Sequence, residues 1–539
     1  MTPPHPAWPP VALREERHFG GLLMRCFADR PPHLVALLAQ AAHARPDAEA
    51  LVDGTQRWTW RQLADDSGSL AQRLTGAGVT RGDRVVLLCH NRASFVIGCH
   101  AVLRLGAVLV PVSTREAAPG IAYVLRQCGA RAVLADAALA DRIPPTIGGT
   151  GAPLVRMVLH ATQVPVGWDA WSPGQDGGTT GFTDAAPDEE DPAVILYTSG
   201  TTGAPKGAVL THLNLVHSVL HYRHGLGLRP EDRSLLAVPA SHVTGLVAIV
   251  LAMVGVGGCV VVLPEFKAAA SLALAEREGV TCTLMVPAMY ALWLREPALA
   301  HTDLRRLRVA GFGGAPMPQA TIDGLRRASP GVRLFNAYGA TETSSPTTMT
   351  PPGSERLEAV GVPLPCAQVR VVDLDGRDVP HGTPGEVWIA GPMVVPRYWD
   401  NPQATAAGFE AGWWKSGDIG TLDADGFLRV HDRQKDMINR GGYKVFSVEV
   451  ENCLVGHPAV HEAATVGYAC PVLGERIHAF VVVDVGVDTG MLARELADRC
   501  RAELADYKTP DRWTWLTGPL PRNPNGKILK RDLRLQAQA

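Results

Sequence analysis

Short apolar runs alternate with segments of helical length from Arg84 onward, and this alternation constrains the possible folds more than any other feature. The runs include RVVLLC at 84, GAVLVPV at 106 and AVILYTS at 193. Between them, residues 140–192 are rich in Pro, Gly, Thr and Asp, a composition that predicts surface loops. Parallel strands joined by crossover helices produce this alternation. We therefore expect a large α/β domain with two parallel-sheet halves.

The pattern changes after residue 355, where alternating strands are punctuated by Asp-Gly at 375–376 and 425–426. Such pairs are typical of hairpin turns, so we expect a small antiparallel β subdomain over 355–432. Past this point helices and strands are mixed, which predicts a small α+β domain over 437–539. A chain of 539 residues also exceeds what one hydrophobic core supports. The large N-terminal domain is accordingly predicted to span 1–432.

Residues 243–263 carry no charge and are long enough to pass a simple test for a membrane span. Glycines at 255, 257 and 258 divide the stretch into a helix-length piece and a β-branched piece. A buried helix followed by a buried parallel strand accounts for this division better than a transmembrane helix does. We expect no membrane span.

Composition excludes several classes of protein. The net charge is -2, and the chain contains no basic, aromatic-interleaved patch, which argues against nucleic acid as a partner. The ten cysteines form no C-x-x-C pair, and the N-terminal residues are proline-rich without the order of an export signal. Reduced thiols and a cytoplasmic location are expected. The sequence HEAAT at 461 lacks the second histidine of a zinc protease, and no G-x-S-x-G elbow is present.

The loop YTSGTTGAPKG at 197–207 follows an apolar run and precedes a segment of helical length. Its glycines allow close approach of a polyphosphate, its hydroxyls can donate hydrogen bonds, and Lys206 supplies a compact charge. It is not a Walker A loop, because Pro205 stands where glycine is required and Gly207 where a hydroxyl is required. The predicted phosphate-binding residues are Thr198, Ser199, Gly200, Thr201, Thr202, Gly203 and Lys206.

Lysine is rare, with only eight among the 51 basic residues and none before Lys206. In a chain where arginine supplies most cations, a lysine indicates a site that needs the compact charge of an ammonium group in place of the planar guanidinium group of arginine. Six of the eight lie in or beside the sequence motifs described here: Lys206, Lys415, Lys435, Lys444, Lys527 and Lys530.

The sequence NAYGATET at 336–343 ends a predicted strand, where open α/β sheets place their ligands. Tyr338 offers a ring on which a base can stack. Glu342 can hold Mg²⁺, which pairs with phosphate oxygens more readily than it enters a cage built only by protein.

These motifs, in this order, resemble those of the adenylate-forming superfamily: acyl- and aryl-CoA synthetases, peptide synthetase adenylation domains and luciferases. The resemblance runs from about residue 34 to 534, and MINRGGYKVFSVEVE is most similar to stand-alone CoA ligases. It implies ATP, Mg²⁺ and coenzyme A as ligands, Glu342 as the metal ligand, and a mobile C-terminal domain. The implied catalytic residues are Lys527, Lys206, Glu342 and His242. The remaining implied nucleotide contacts are Gly313, Gly314, Ala315, Asn336, Ala337, Tyr338, Gly339, Thr341, Asp418 and Arg433.

The family's two half-reactions need different catalytic groups. The resemblance assigns Lys527, in preference to Lys530, to the first step, where an ammonium can bridge two anions as the carboxylate attacks the α-phosphate. It also implies a hinge over 433–436 centred on Lys435, and a channel for the pantetheine thiol at Gly441, Gly442 and Lys444.

The segment PASHVTGL at 239–246 resembles the one that gates the acyl pocket in the family. The predicted pocket residues are His242, Val243, Gly245, Gly311, Gly313 and Gly339, although small residues in strands also allow close packing. No acidic residue lies in 243–263, so an α-ammonium group would stay unpaired. We expect a carboxylate without an α-amino group, activated and then transferred to coenzyme A. A separate carrier protein as acceptor, a luciferase-type oxygenase and a non-catalytic acyl or nucleotide sensor are the alternatives.

Overall fold

The computed structural model describes residues 4–145, 154–161, 163–175, 182–198, 205–315, 317–523, 526 and 528–538. The chain divides into two compact units. Unit 1 consists of residues 1–369 and 389–415, and unit 2 consists of residues 370–388 and 416–539. Among the described helices, none is both long and apolar enough to cross a membrane.

Unit 1 contains ten α-helices in its described part, and unit 2 contains three. The helices are α1 (Leu34–Ala44), α2 (Trp60–Gly76), α3 (Ala93–Arg104), α4 (Ala118–Gln127), α5 (His212–Leu226), α6 (Ala252–Val256), α7 (Ala268–Arg277), α8 (Pro287–Arg295), α9 (Gln319–Ala328), α10 (Pro402–Gly408), α11 (Ser447–Val455), α12 (Thr489–Glu503) and α13 (Lys530–Gln538).

The strands are mostly short. They are β1 (Leu13–His18), β2 (Leu22–Phe27), β3 (Glu49–Asp53), β4 (Gln56–Thr59), β5 (Arg84–Leu88), β6 (Val108–Pro111), β7 (Ala132–Ala135), β8 (Val155–Leu159), β9 (Asp169–Trp171), β10 (Pro192–Thr198), β11 (Lys206–Thr211), β12 (Arg233–Leu236), β13 (Cys259–Val262), β14 (Cys282–Met285), β15 (Val309–Gly313), β16 (Arg333–Tyr338), β17 (Thr348–Met349), β18 (Val362–Pro363), β19 (Gln368–Val372), β20 (Gly385–Ala390), β21 (Phe409–Glu410), β22 (Trp413–Leu422), β23 (Leu428–Arg433), β24 (Ile438–Arg440), β25 (Tyr443–Val445), β26 (Glu462–Cys470), β27 (Gly474–Val482) and β28 (Arg512–Leu516).

The first large sheet of unit 1 has the order β11-β10-β6-β5-β7-β8-β9. Its strands are parallel except β11, which returns antiparallel to β10. The prediction that residues 140–192 form surface loops is wrong in part, because β8 and β9 lie there and Trp171 is fully buried. These two strands at one end of the sheet are five and three residues long, too short to stand out from the Pro- and Gly-rich sequence around them.

The second large sheet of unit 1 has the order β18-β17-β16-β15-β14-β12-β13-β3-β4. The six strands from β16 to β3 are parallel, and antiparallel pairs close both edges. The uncharged stretch 243–263 forms a π-helix over Thr244–Leu251, then α6 and the buried strand β13. The expected buried helix and parallel strand are therefore confirmed, as is the fold class.

Unit 2 contains a sheet of order β25-β24-β27-β26, with β28 parallel to β27. Apolar residues from α11 and α12 share a core with this sheet. The Asp-Gly pair at 425–426 forms the expected hairpin between β22 and β23, with Gly426 at φ 78°. Asp488 accepts from two backbone amides at the start of α12, which begins at Thr489. The domain boundary at 433–436 stays a prediction.

Candidate active site

The ends of the glycine-threonine loop lie side by side at the edge of the first sheet. Strands β10 and β11 pair antiparallel and place Thr198 opposite Lys206. The Thr198 hydroxyl donates to the Lys206 carbonyl at 3.5 Å. The predicted phosphate-binding residues between them, Ser199, Gly200, Thr201, Thr202 and Gly203, lie outside the described residues, as does Lys527.

Tyr398 connects Lys206 to Glu342, and sequence reasoning missed it. The Lys206 Nζ lies 5.3 Å from the centre of the Tyr398 ring, within the range of a cation–π contact. The Tyr398 hydroxyl donates to Glu342 Oε1 at 2.8 Å. Burial, reinforced by the Glu342 carboxylate, raises the pKa of Tyr398, so the phenol stays a hydrogen-bond donor.

The register of the chain explains how Tyr398 reaches this place. Tyr398 forms an antiparallel bridge with Ala208 on β11. The backbone amide of Trp399 donates to the carbonyl of Gly207, the residue before Ala208, at 2.6 Å. Residues 397–399 thus add to the edge of the sheet beside the phosphate-binding loop. The sequence RYWD gave no motif that would have identified this pairing.

Glu342 is buried with 9% of its surface exposed and lies in the short turn Thr341–Thr343. Its backbone carbonyl accepts from Val395 N at 2.9 Å, which ties the turn to the segment that carries Tyr398. Ser344 and Ser345 follow with positive φ angles, a strained conformation typical of functional turns. A single buried carboxylate fits a Mg²⁺ ion that takes its other ligands from phosphate oxygens and water.

The predicted nucleotide residues on β15 and β16 are neighbours, because Gly313 pairs with Ala337 in a parallel register. A Cβ at Gly313 would lie 2.5 Å from the Ala337 carbonyl oxygen, and one at Gly339 would overlap the Ser345 carbonyl. Close strand packing therefore accounts for these glycines. The Asn336 side chain donates to the carbonyls of Leu357 and Ala359, at 3.2 and 3.1 Å. The Asn336 side-chain amide thus holds residues 357–359 next to the end of β16, and its nitrogen is used in that contact.

The predicted acyl segment is held in place by Asn91, which sequence reasoning also missed. The buried Asn91 amide donates to Val238 O at 2.9 Å and accepts from Ala240 N at 2.8 Å. Two residues further on, the partly buried His242 precedes the π-helix, and its carbonyl accepts from Leu246 N at 2.9 Å. The π-helix over Thr244–Leu251 departs from α-helical pairing, and such departures are frequent at functional sites.

Two other predicted pocket glycines are in close contact with the chain itself. A Cβ at Gly245 would clash with the Pro239 carbonyl, and one at Gly311 would overlap the Phe335 ring. Packing thus requires glycine at both positions. Their role in acyl binding stays a prediction.

In unit 2, the predicted ribose pair Asp418 and Arg433 is brought together. They are paired across β22 and β23, and Arg433 Nε lies 3.4 Å from Asp418 Oδ1. Asp418 is 7% exposed, and its backbone amide donates to the Ser416 hydroxyl at 3.0 Å.

Lys435 lies two residues after Arg433, and its carbonyl accepts from Arg534 Nη2 at 2.7 Å. Gly441 and Gly442 have φ angles of 60° and 87°, so the turn between β24 and β25 needs glycine on conformational grounds alone. Lys444 is exposed. Channel and hinge functions at these positions stay predictions.

Family models test the resemblance directly. Residues 38–399 match the AMP-binding enzyme model, and residues 449–527 match the model of the AMP-binding enzyme C-terminal domain. The chain belongs to the AMP-binding enzyme family.

This adenylate-forming enzyme is 33% identical over 515 residues to the long-chain-fatty-acid–CoA ligase FadD13 of Mycobacterium tuberculosis, covering 93% of this chain and 98% of that protein. It is also 33% identical over 514 residues to the fatty acid–[acyl-carrier-protein] ligase ScoC of Streptomyces coeruleorubidus, covering 93% of this chain and 96% of the relative.

Among solved structures, the anthranilate CoA ligase AuaEII in complex with anthranoyl-AMP superposes with a TM-score of 0.87 and 28% identity, covering 94% of this chain and 98% of that one. The similarity spans both parts of the chain, as the resemblance to stand-alone CoA ligases predicted.

Proposed function

We propose that this adenylate-forming enzyme is a carboxylate–CoA ligase that works through an acyl-adenylate. In the first step a carboxylate oxygen attacks the α-phosphorus of ATP, the bond to the β-phosphate breaks, and pyrophosphate leaves. In the second step the sulfur of coenzyme A attacks the acyl carbon, the bond to AMP breaks, and the thiol proton is released to solvent.

The array of Lys206, Tyr398 and Glu342 is the observation that carries this proposal. It places a cation, a phenol donor and a buried carboxylate beside the two strands that frame the phosphate-binding loop. Mg²⁺ held at Glu342 would supply charge neutralisation to the phosphates. Lys206 would stabilise the charge that develops on the α-phosphate. Tyr398 would keep the Glu342 carboxylate in one orientation through its hydrogen bond.

The proposed acid is one without an α-amino group. The residues from Val243 to Leu263 contain no carboxylate, and most of this stretch is buried. An ammonium group against this lining would lose its hydration without gaining a partner. Fatty and aromatic acids both satisfy this condition.

A carrier protein is the second candidate acceptor. One relative at 33% identity is named a fatty acid–[acyl-carrier-protein] ligase, and both acceptors present the same pantetheine thiol. The sequence MINRGGYKVFSVEVE, closer to stand-alone CoA ligases, favours coenzyme A.

A panel of carboxylic acids scored for pyrophosphate release, with and without coenzyme A, tests the proposal. The expected result is acid-dependent release of pyrophosphate and a CoA thioester of the same acid. Pyrophosphate release without a CoA thioester, together with acylation of a phosphopantetheinyl carrier protein, would show that the acyl acceptor is the carrier protein. Absence of release with fatty, aromatic and branched acids would contradict the adenylation proposal.

A further inference from the structure

Asp432 and Ser447 form a buried hydrogen-bonded pair in unit 2. Asp432 Oδ2 accepts from the Ser447 hydroxyl at 2.6 Å and also from the Ser447 backbone amide. Asp432 is 5% exposed and Ser447 is fully buried. Hydrogen bonds to a buried carboxylate are stronger than neutral ones and are costly to leave unmade.

The surroundings stabilise the pair further. Ser447 is the first residue of α11, where the positive end of the helix favours a carboxylate. The Ser447 hydroxyl also accepts from Lys530 Nζ at 2.5 Å, and Lys530 forms a 2.7 Å ion pair with Glu451. The residues connected in this way are therefore Asp432, Ser447, Lys530 and Glu451.

The pair connects residues on opposite sides of Lys435. Asp432 precedes Lys435 in the chain and Ser447 follows it. A rotation about φ or ψ of Lys435 moves everything after this residue relative to everything before it. Such a rotation separates Asp432 from Ser447.

A second set of contacts behaves in the opposite way. Arg534 Nη2 donates to the Lys435 carbonyl and to Asp436 Oδ1, both at 2.7 Å. The carbonyl of Lys435, Asp436 and Arg534 all lie on the downstream side of the two rotatable bonds. A rotation at Lys435 therefore leaves these contacts intact, because all their atoms move together with the C-terminal part of the chain. The contacts also hold the backbone after Lys435 fixed, so the rotation takes place at Lys435 or before it.

We infer that the Asp432–Ser447 pair is a latch that holds one of the two orientations of the C-terminal domain. Asp432 and Ser447 then act as positioning residues, because they set how often the enzyme occupies the orientation that serves one half-reaction. This inference rests on the proposed function, in which two half-reactions share a site.

Ser447→Ala and Asp432→Asn weaken the latch, and Thr465→Val is a matched control. Thr465 Oγ1 donates to the Ser447 carbonyl at 3.0 Å and to Glu451 Oε1 at 3.3 Å, so the control also removes buried hydroxyl contacts, but only ones between residues downstream of Lys435. Adenylation is measured as pyrophosphate release, and thioester formation with a supplied acyl-adenylate. We expect the ratio of the two rates to change by about fivefold or more in the latch variants, as loss of one buried hydrogen bond implies. The ratio in Thr465→Val should stay at the wild-type value.

Trypsin supplies a measurement that does not depend on catalysis. Lys435 is exposed, and opening of the latch frees the chain around Arg433 and Lys435 for cleavage. Cleavage at these two sites should be faster in both latch variants than in wild type, and unchanged in Thr465→Val. An unchanged rate ratio with unchanged cleavage, or an equal fall of both half-reactions, would overturn the latch. If the wild-type enzyme released no pyrophosphate, the proposed function would fail, while cleavage would still decide whether the latch exists.

Discussion

The hydroxyl of Tyr398 donates to Glu342 Oε1 at 2.8 Å, while the ring of the same tyrosine lies beneath the Lys206 ammonium. One side chain thus contacts the predicted metal ligand and the predicted phosphate-binding lysine. Replacing Tyr398 by phenylalanine keeps the ring and removes only the hydrogen bond. We expect adenylation to fall about tenfold, with a higher Mg²⁺ concentration needed for half-maximal rate, because the carboxylate loses its fixed orientation.

Titration of pyrophosphate release against Mg²⁺ checks this expectation. Tyr468→Phe is the control, since Tyr468 is a buried tyrosine of unit 2 on β26. An unchanged Mg²⁺ requirement in Tyr398→Phe would show that the hydrogen bond does not position Glu342.

Lys206 is expected to act as a point charge. Lys206→Met should lower kcat/KM for ATP by about 10- to 100-fold, the range of one charge-assisted hydrogen bond. Lys206→Arg should recover little of this loss, because a planar guanidinium over the Tyr398 ring does not place its charge as an ammonium does. Initial-rate kinetics with varied ATP compare the two variants, and equal activity of Arg and Lys enzymes would contradict the point-charge assignment.

Substitutions at Lys530 and Lys527 should have different effects, on stability for Lys530 and on catalysis for Lys527. Lys530 is in an ion pair with the partly buried Glu451, whereas Lys527 lies outside the described residues. We expect Lys530→Ala to cost about 1–3 kcal/mol of unfolding free energy, because Glu451 loses its ion pair and keeps only its hydrogen bonds from Thr465. Lys527→Ala should lose most adenylation and still convert a supplied acyl-adenylate to thioester.

Denaturant unfolding together with the two half-reaction assays distinguishes these outcomes. Equal loss of both half-reactions in Lys527→Ala would contradict its assignment to the first step.

Lys435→Pro should separate the half-reactions. Proline fixes φ near -65°, which removes one of the two rotations available at the predicted hinge. We expect adenylation to survive and thioester formation to fail. Survival of both activities would place the hinge elsewhere.

Helix α5 makes unit 1 sensitive to acid. Burial lowers the pKa of His212 and of His217 to about 3, and that of His221 well below its ordinary value. Unfolded histidines titrate near 6.5, so the folded state resists protons that the unfolded state accepts. The free energy of unfolding is therefore highest above about pH 6.5. It falls as the pH drops below that value, by about 2 kcal/mol per histidine at pH 5.

Denaturant unfolding at pH 7.5 and pH 5 measures this decline. The His217 ring donates to Leu213 O at 2.8 Å and accepts from Phe27 N at 3.3 Å. His217→Gln should therefore reduce the difference between the two pH values by about 2 kcal/mol. An identical pH dependence in variant and wild type would contradict the histidine origin.

Much of the architecture could be predicted, because strands buried on both faces carry a strong apolar signal. The runs at 84, 106 and 193 became β5, β6 and β10, and the uncharged stretch became a buried helix and strand. Strands β8 and β9 could not be predicted, because segments of five and three residues are too short to show a clear periodicity.

Some residues of the candidate site could likewise be predicted from the sequence, and others could not. Lys206, Glu342 and Asp418 stand in motifs that are contiguous in sequence, so the sequence was enough to single them out. Tyr398 and Asn91 reach the site only through long-range pairing, Tyr398 beside β11 and Asn91 at Val238 and Ala240. No local pattern marks either residue.

The sequence by itself determined the order of strands and helices, the family, and the residue types available for phosphate and metal chemistry. These depend on hydrophobic periodicity and on short motifs, which are local properties of the chain. The tertiary structure decided which of those residues touch: the Tyr398 link between Lys206 and Glu342, the packing that requires Gly311 and Gly313, and the Asp432–Ser447 pair. The physical reason is that hydrogen bonds and close packing depend on distance in space, which folding sets independently of separation along the chain.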